Sequence, residues 1–290
     1  MATVQAGPAM PSFHSDAELD IELDDLKRLV DAIFAKYGYD FSNYAMSSFK
    51  RRVLMVLRKA GLRSIDPLIQ KIVHDSTYFD QFLVDITVNT TEMFRDPTFY
   101  RVLREKILPQ LAKRPEFNIW HAACSTGEEV VSLAILLKEE GLLSKARVYA
   151  TDINHVVLKK AAAARYPLRN KELSLANYKL TLPKGELTDY FTVQDNEMVY
   201  DPELVKQVKF KHHDLAVDQH FYKFDLILCR NVMIYFNQQL QNRVFDLLLN
   251  SMFLGGYLAL GAKESLIWCR QADKFEPVNE VEKIYRKAKI

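Results

Sequence analysis

Apolar and polar positions follow two different rhythms along the chain, and the change falls near residue 88. Over residues 20–37, apolar side chains recur at Leu23, Leu26, Leu29, Val30, Ile33 and Phe34, the three-and-four spacing of one helix face. Similar patterns predict a second helix over residues 46–60, a third opening at Pro67 and a fourth over residues 78–86. Residues 19–88 therefore read as a small all-helical domain. Residues 1–18, which carry Pro8 and Pro11, read as a disordered leader.

Beyond residue 88, short apolar runs alternate with helical stretches. Strands are expected over residues 118–123, 147–151, 208–212, 224–229 and 257–261, and helices over 128–139, 154–165 and 238–251. This alternation predicts an α/β domain over residues 89–290, a parallel sheet with helices on both faces. Between residues 166 and 207 the rhythm breaks at Pro167, Pro183 and Pro202, where a small inserted β-subdomain is expected.

Composition narrows the class. The chain has 290 residues, 49% of them hydrophobic and 26% charged, as in a globular enzyme rather than a disordered chain. A net charge of +2 argues against bulk nucleic-acid binding and leaves electrostatic recognition to local patches. Cys124, Cys229 and Cys269 are too widely spaced for a disulfide framework or a CxxC metal site, and are read as reduced thiols. Residues 1–16 lack a basic start, so no secretory signal is read there. The apolar run 133–137 is far too short to span a bilayer. A monomeric cytoplasmic protein without membrane insertion is expected.

Ligands of open parallel sheets bind beyond the carboxyl ends of the strands. The first strand is followed by Ala122-Ala123-Cys124-Ser125-Thr126-Gly127-Glu128-Glu129, a small-residue turn whose glycine lets backbone approach a ligand closely. It is not GxGxxG, and its acidic pair would repel a pyrophosphate. Asp152 ends the second strand, about 20–25 residues past that glycine, where a carboxylate accepts from both hydroxyls of a ribose. A helix cap is the plainer role for Asp152, as for Ser125 or Thr126. Together the features point to an adenosyl group without phosphate, S-adenosylmethionine rather than NAD. Asp214, after the third strand, is placed to accept from an adenine amine. His212 and His213 point to opposite sides of a strand end and form no expected metal site. Arg230 and Asn231 follow the next strand, with Tyr235 a helical turn further on.

These residues carry a family resemblance. Asn89-Thr90-Thr91-Glu92-Met93-Phe94-Arg95, Ala123-Cys124-Ser125-Thr126-Gly127-Glu128-Glu129, Ala150-Thr151-Asp152-Ile153 and Cys229-Arg230-Asn231-Val232-Met233-Ile234-Tyr235-Phe236 resemble the CheR chemotaxis-receptor methyltransferases. The resemblance runs in order over residues 20–286. It implies a class I, Rossmann-like methyltransferase domain behind a helical substrate-recognition domain. It also implies that Asn89, Thr91, Arg95, Glu129, Asp152, Asp214, Leu215, Arg230 and Asn231 line the S-adenosylmethionine pocket, with Arg95 and Tyr235 near the transferred methyl. The chain departs from the pattern at Val130-Val131, in place of Pro-Tyr, and at Asp214, in place of Asn. It departs again at Gly261-Ala262-Lys263-Glu264-Ser265, in place of a Gly-His-Ser-Glu-Ser string.

The implied reaction is methyl esterification of receptor glutamates, giving S-adenosylhomocysteine as product and needing no metal. A glutamate of ordinary pKa, about 4.3, is already a carboxylate nucleophile at neutral pH, so no base is required. Alignment and removal of water are. Arg95 would hold a carboxylate and Tyr235 the attacking oxygen. The basic stretch around Arg51, Arg52 and Arg58 is either a solvated helix face or the dock for the acidic methylation helices of a chemoreceptor, which the resemblance favours. Some family members grip a receptor tail peptide through a glycine-rich loop of the β-subdomain. Residues 190–200 contain no glycine, so recognition without that tether is expected. The alternatives are a non-catalytic S-adenosylmethionine sensor or receptor-docking module, and a methyltransferase for another acidic protein, a small molecule or nucleic acid.

Overall fold

The structure, a computed structural model, describes residues 20–289. The leader expected over residues 1–18 lies outside the described residues.

Four helices come first: α1 (Leu23–Tyr37), α2 (Met46–Ala60), α3 (Ile65–His74) and α4 (Ser76–Ile86). α1 and α2 stop where Gly38 and Gly61 turn left-handed, at φ of 80° and 66°, and return their N–H groups to the preceding turn. α3 starts two residues before Pro67, which sits in the first turn where its missing N–H costs nothing. α4 starts at Ser76 because the Asp75 carboxylate accepts from the N–H of Thr77 and Tyr78. Their apolar faces, including Leu26, Ile33, Val53, Leu57, Leu68, Phe82 and Leu83, meet in one core.

No element is expected from the sequence between residues 88 and 118. The structure has α5 (Pro97–Val102) and α6 (Leu108–Leu111) there, joined by a π-helical turn over Leu103–Ile107. The wider turn shifts the helical phase, so no single 3.6-residue period runs through the segment.

The strands β1 (Phe117–Ala122) and β2 (Ala146–Asp152) are linked by α7 (Glu128–Glu139). After α8 (His155–Ala163), the expected helix stops early because Ala164 turns left-handed, φ 47°, into strand β3 (Arg165–Pro167). β3 pairs with β5 (Glu197–Tyr200), and β5 with β4 (Phe191–Gln194), beside α9 (Lys171–Lys179). The β4–β5 turn is Asp195-Asn196, both left-handed, as a two-residue hairpin of this twist requires.

The main sheet resumes with β6 (Lys209–His212), β7 (Phe224–Cys229), α10 (Gln238–Asn250), β8 (Met252–Leu260), β9 (Phe275–Asn279) and β10 (Ile284–Lys287). Its order is β6-β2-β1-β7-β8-β10-β9, with the first five strands parallel and β10 antiparallel to both neighbours. β8 starts earlier than expected, and β9 and β10 are not expected at all. Buried side chains alternate between two cores: Ile119, Leu226 and Leu228 join one, Trp120, Ile227 and Cys229 the other. Both faces of β1 and β7 are thus covered, as parallel strands require.

The two helical and sheet-based units are clipped together by backbone. Ala45 N–H donates to Tyr235 O (2.8 Å) and Asn237 N–H to Asn43 O (2.9 Å), flanking a Tyr44–Phe236 bridge. No helix among the described residues is long and apolar enough to cross a membrane.

Candidate active site

The adjacent parallel strands β2, β1 and β7 end at Asp152, Ala122 and Cys229. The chain winds from β1 to β2 on one side and later returns to β7 on the other, so a crevice opens at their carboxyl ends. α2 and residues 86–95 wall it in. The resulting cleft encloses about 1010 Å³ of space, the open solvent at its mouth included. Asn89, Thr91, Arg95, Glu129, Asp152, Arg230, Asn231 and Tyr235 all line it, as does Arg52.

The turn after β1 departs from what the sequence suggests. Ala123 (φ 61°) and Ser125 (φ 51°) are left-handed and face the cleft. Gly127 (φ 89°) does not line it; a Cβ there would sit 2.7 Å from Ala161 Cβ of α8. The glycine therefore serves helix packing, and the ligand-side approach is made by its neighbours. Ser125 N–H donates to Asp152 Oδ2 (2.9 Å) and Asn154 N–H to Oδ1 (3.0 Å). The cap of α8 is the Asn154 side chain, which accepts from Val156 and Val157. That leaves Asp152 spare lone pairs toward the cleft. Burial pushes its carboxyl up to about 6, while the N–H groups of Asn154 and Ser125 pull against that rise.

A buried charge network forms the floor. Glu129 accepts from His121 Nδ1 (2.9 Å) and from Arg230 Nη1 (3.1 Å), and Arg230 Nη2 reaches Asp96 Oδ2 (2.7 Å). The guanidinium carbon stands 4.0 Å from the Phe99 ring centre, a cation–π contact. Burial opposes ionisation of Glu129, but His121 and Arg230 outweigh it and hold its carboxyl below the usual range. Sequence reasoning missed the next support, Glu264. Its buried carboxylate accepts from the N–H groups of Asn231 (2.9 Å), Met233 (2.7 Å) and Gly261 (2.6 Å), fixing the turn that carries Tyr235. A Cβ on Gly261 would meet Asn231 Nδ2 at 2.6 Å. The departure at Gly261–Ser265 signalled an unusual segment without revealing this role.

The mouth is different. Arg95 sits between two left-handed residues, Phe94 (φ 53°) and Asp96 (φ 57°), a strained backbone held by Ser132 Oγ on Phe94 N–H and by Arg230 on Asp96. Its own hydrogen bond is to Thr90 O at 3.3 Å. Arg52 Nε is buried without a partner. Burial raises the Tyr235 phenol against the opposing pull of the Arg52 and Arg95 charges, so it remains a neutral donor at neutral pH.

The remaining expected residues lie at and beyond the edges of the cleft. Asp214 and Leu215 are buried after β6. Asp214 Oδ1 accepts from Ala216 N–H (2.8 Å) and Oδ2 is buried without a partner. The patch of Arg51, Arg52 and Arg58 divides: Arg51 and Arg58 are exposed on one face of α2 with Met55, whereas Arg52, a quarter-turn round, points into the cleft. His212 stacks on His155 (4.5 Å) and accepts from or donates to Tyr39 OH (3.2 Å), while His213 packs against Trp120. No group of three metal-ligating side chains occurs among the described residues.

Residues 24–87 match the family model described as CheR methyltransferase, all-alpha domain, and residues 89–284 match CheR methyltransferase, SAM binding domain. The chain belongs to the CheR methyltransferase family. It is similar to the Cher3 protein of Pseudomonas putida, 39% identical over 274 residues, covering 94% of this chain and 99% of the relative. It is 35% identical over 269 residues to chemotaxis protein methyltransferase 1 of Vibrio cholerae, covering 89% and 94%. The chemotaxis protein methyltransferase of Listeria innocua is 30% identical over 232 residues, covering 79% and 86%. This CheR protein is therefore an S-adenosylmethionine-dependent methyltransferase with a Rossmann-like catalytic domain behind an all-helical one.

Proposed function

We propose that this CheR protein esterifies glutamate side chains of chemoreceptors in the cytoplasm. The observation that carries the reading is the mouth of the cleft, where Arg52 and Arg95 flank the Tyr235 phenol with few partners of their own. Two cations beside a neutral phenol suit an incoming carboxylate, which needs charge neutralisation and one hydrogen-bond donor but no base.

The cleft also fits S-adenosylmethionine. Ser125 Oγ is a buried polar atom without a partner on its wall, and Asp152 has free acceptor capacity beside it. Asp152 would take the ribose hydroxyls, while Asn89, Thr91, Glu129, Arg230 and Asn231 line the remainder. The bound sulfonium supplies an activated methyl group. The chain aligns the acceptor: Arg95 and Arg52 hold the carboxylate, Tyr235 orients one oxygen, and the apolar walls Val232 and Phe236 exclude water. No residue is asked to move a proton.

Arg51 and Arg58, outside the cleft on the same helix as Arg52, would dock the acidic face of the methylation helices. The closed Asp195-Asn196 hairpin supports recognition without a receptor tail.

The test is transfer of tritiated methyl from S-adenosylmethionine to receptor-containing membranes, followed by mild base. Label released as volatile methanol supports a carboxyl ester. Base-stable label, or none, overturns the glutamate reading.

A further inference from the structure

The loop after β8 holds two successive apolar side chains in solvent: Ile267 is 73% exposed and Trp268 78%. They are not loosely placed. Leu266 and Cys269 on either side are buried, Cys269 N–H donates to Leu266 O (2.8 Å), Ile267 N–H donates to Ser265 Oγ (3.1 Å), and the Gln238 amide donates to Trp268 O (3.1 Å). The same loop begins with Glu264, whose carboxylate fixes the turn carrying Tyr235. That turn exposes a third apolar residue, Ile234, at 41%. A tryptophan held out in solvent by buried anchors is the kind of side chain that carries binding energy.

We infer that Ile267 and Trp268 form an apolar lip that grips the acceptor protein as its glutamate enters the cleft, and so help select the substrate. The inference rests on the proposed function and adds residues to it. The occupant it commits to is an amphipathic helix of the acceptor, acidic with an aliphatic flank. Glu264 ties the start of this loop to the turn that carries Tyr235, so the lip and the mouth share one support. The exposed Lys263 and Arg270 at the two ends of the loop match an acidic helix in charge.

The chain offers its own probe. It contains two tryptophans, and Trp120 is wholly buried, so emission that acrylamide can quench belongs to Trp268. The experiment uses the full enzyme with S-adenosylhomocysteine and a purified chemoreceptor cytoplasmic fragment carrying unmodified glutamates. Saturating fragment should shift Trp268 emission to the blue and lower its quenching several-fold. Trp268→Ala should raise KM for the fragment about tenfold, leave kcat within about twofold and leave S-adenosylhomocysteine affinity unchanged, and Trp268→Phe should restore part of the loss. A fragment that is methylated while Trp268 stays fully quenchable, with Trp268→Ala kinetically normal, overturns the inference and leaves the proposed function standing. Quenching protection that grows with enzyme concentration alone would make a second copy the occupant and also overturns it. No methyl transfer to the fragment at all removes the reading on which the lip depends.

Discussion

The floor and the mouth of the cleft are both charged, yet they are built on opposite terms. On the floor, Arg230, Glu129, His121 and Asp96 are joined in one run of ion pairs, with Arg230 Nε and His121 Nε2 left buried without partners, and Asp152 accepts from two backbone N–H groups. At the mouth, Arg52 has a buried nitrogen without a partner and Arg95 holds only a long bond to a carbonyl. Paired charges are part of the fold, and removing one strands its partners. Arg52 and Arg95 have no carboxylate partner among the described residues, so on the proposed reading they are free for a ligand and removing one strands no counter-charge. The difference separates the half of the site that is preassembled from the half that the acceptor completes.

Arg230→Met is the strongest challenge to that division. It should cost about 3–5 kcal/mol in urea unfolding, because Glu129 and Asp96 lose their shared counter-charge. A loss below about 1 kcal/mol would mean the floor is no more integral than the mouth. Arg95→Ala should do the reverse. Methyl transfer should fall about 10²-fold while unfolding stability moves by less than about 0.5 kcal/mol. Parallel losses of stability and activity would erase the contrast.

Asp152 tests the boundary between the halves. Asp152→Ala should weaken S-adenosylmethionine and S-adenosylhomocysteine by about 10- to 100-fold, or 1.5–3 kcal/mol, in calorimetry. Unchanged affinity would take Asp152 out of the ribose role. The smallest effect is expected at Asp214, whose buried carboxyl is pushed by desolvation up from the usual 3.8 to about 6. The folded chain then binds this proton more tightly than the unfolded one, so its contribution to stability is present below pH 3.8 and is lost as pH rises through about 6. Asp214→Asn keeps the acceptor for Ala216 N–H and puts an amide where Oδ2 is unpartnered. It should raise the melting temperature by a few degrees at pH 8, a gain that disappears near pH 3.5. Equal gains at both pH values would assign the effect to packing instead of charge.

How much of this was readable beforehand depended on which physical signal each residue leaves in sequence. Asp152, Arg230 and Asn231 follow strands whose apolar runs are unmistakable, and strand ends in a parallel sheet are where ligands go. Glu264 left no such mark, because a carboxylate that caps the backbone of another loop has no period and no fixed spacing from it. Gly127 was noticed for the right reason, its conformational freedom, but the crowding it relieves comes from Ala161, which only the folded chain brings near. Arg52 could not be told from Arg51 and Arg58 by charge. Successive helical residues point about 100° apart, and which of them faces inward is set by the docking of α2. α5 and α6 hid behind a π-turn, and β9 and β10 behind a loop that interrupts the strand rhythm.

The clip between Asn43–Ala45 and Tyr235–Asn237 has a consequence for how such an enzyme can change over time. Because its two principal bonds join main-chain groups, substitutions elsewhere on α2 do not loosen it. On the proposed docking role, the outward residues Arg51, Met55 and Arg58 can be exchanged to suit a new acceptor while Arg52 stays in the cleft wall with Tyr235. Partner choice and methyl transfer would then share one helix yet drift independently, and a lineage could acquire new acceptors without re-inventing its chemistry.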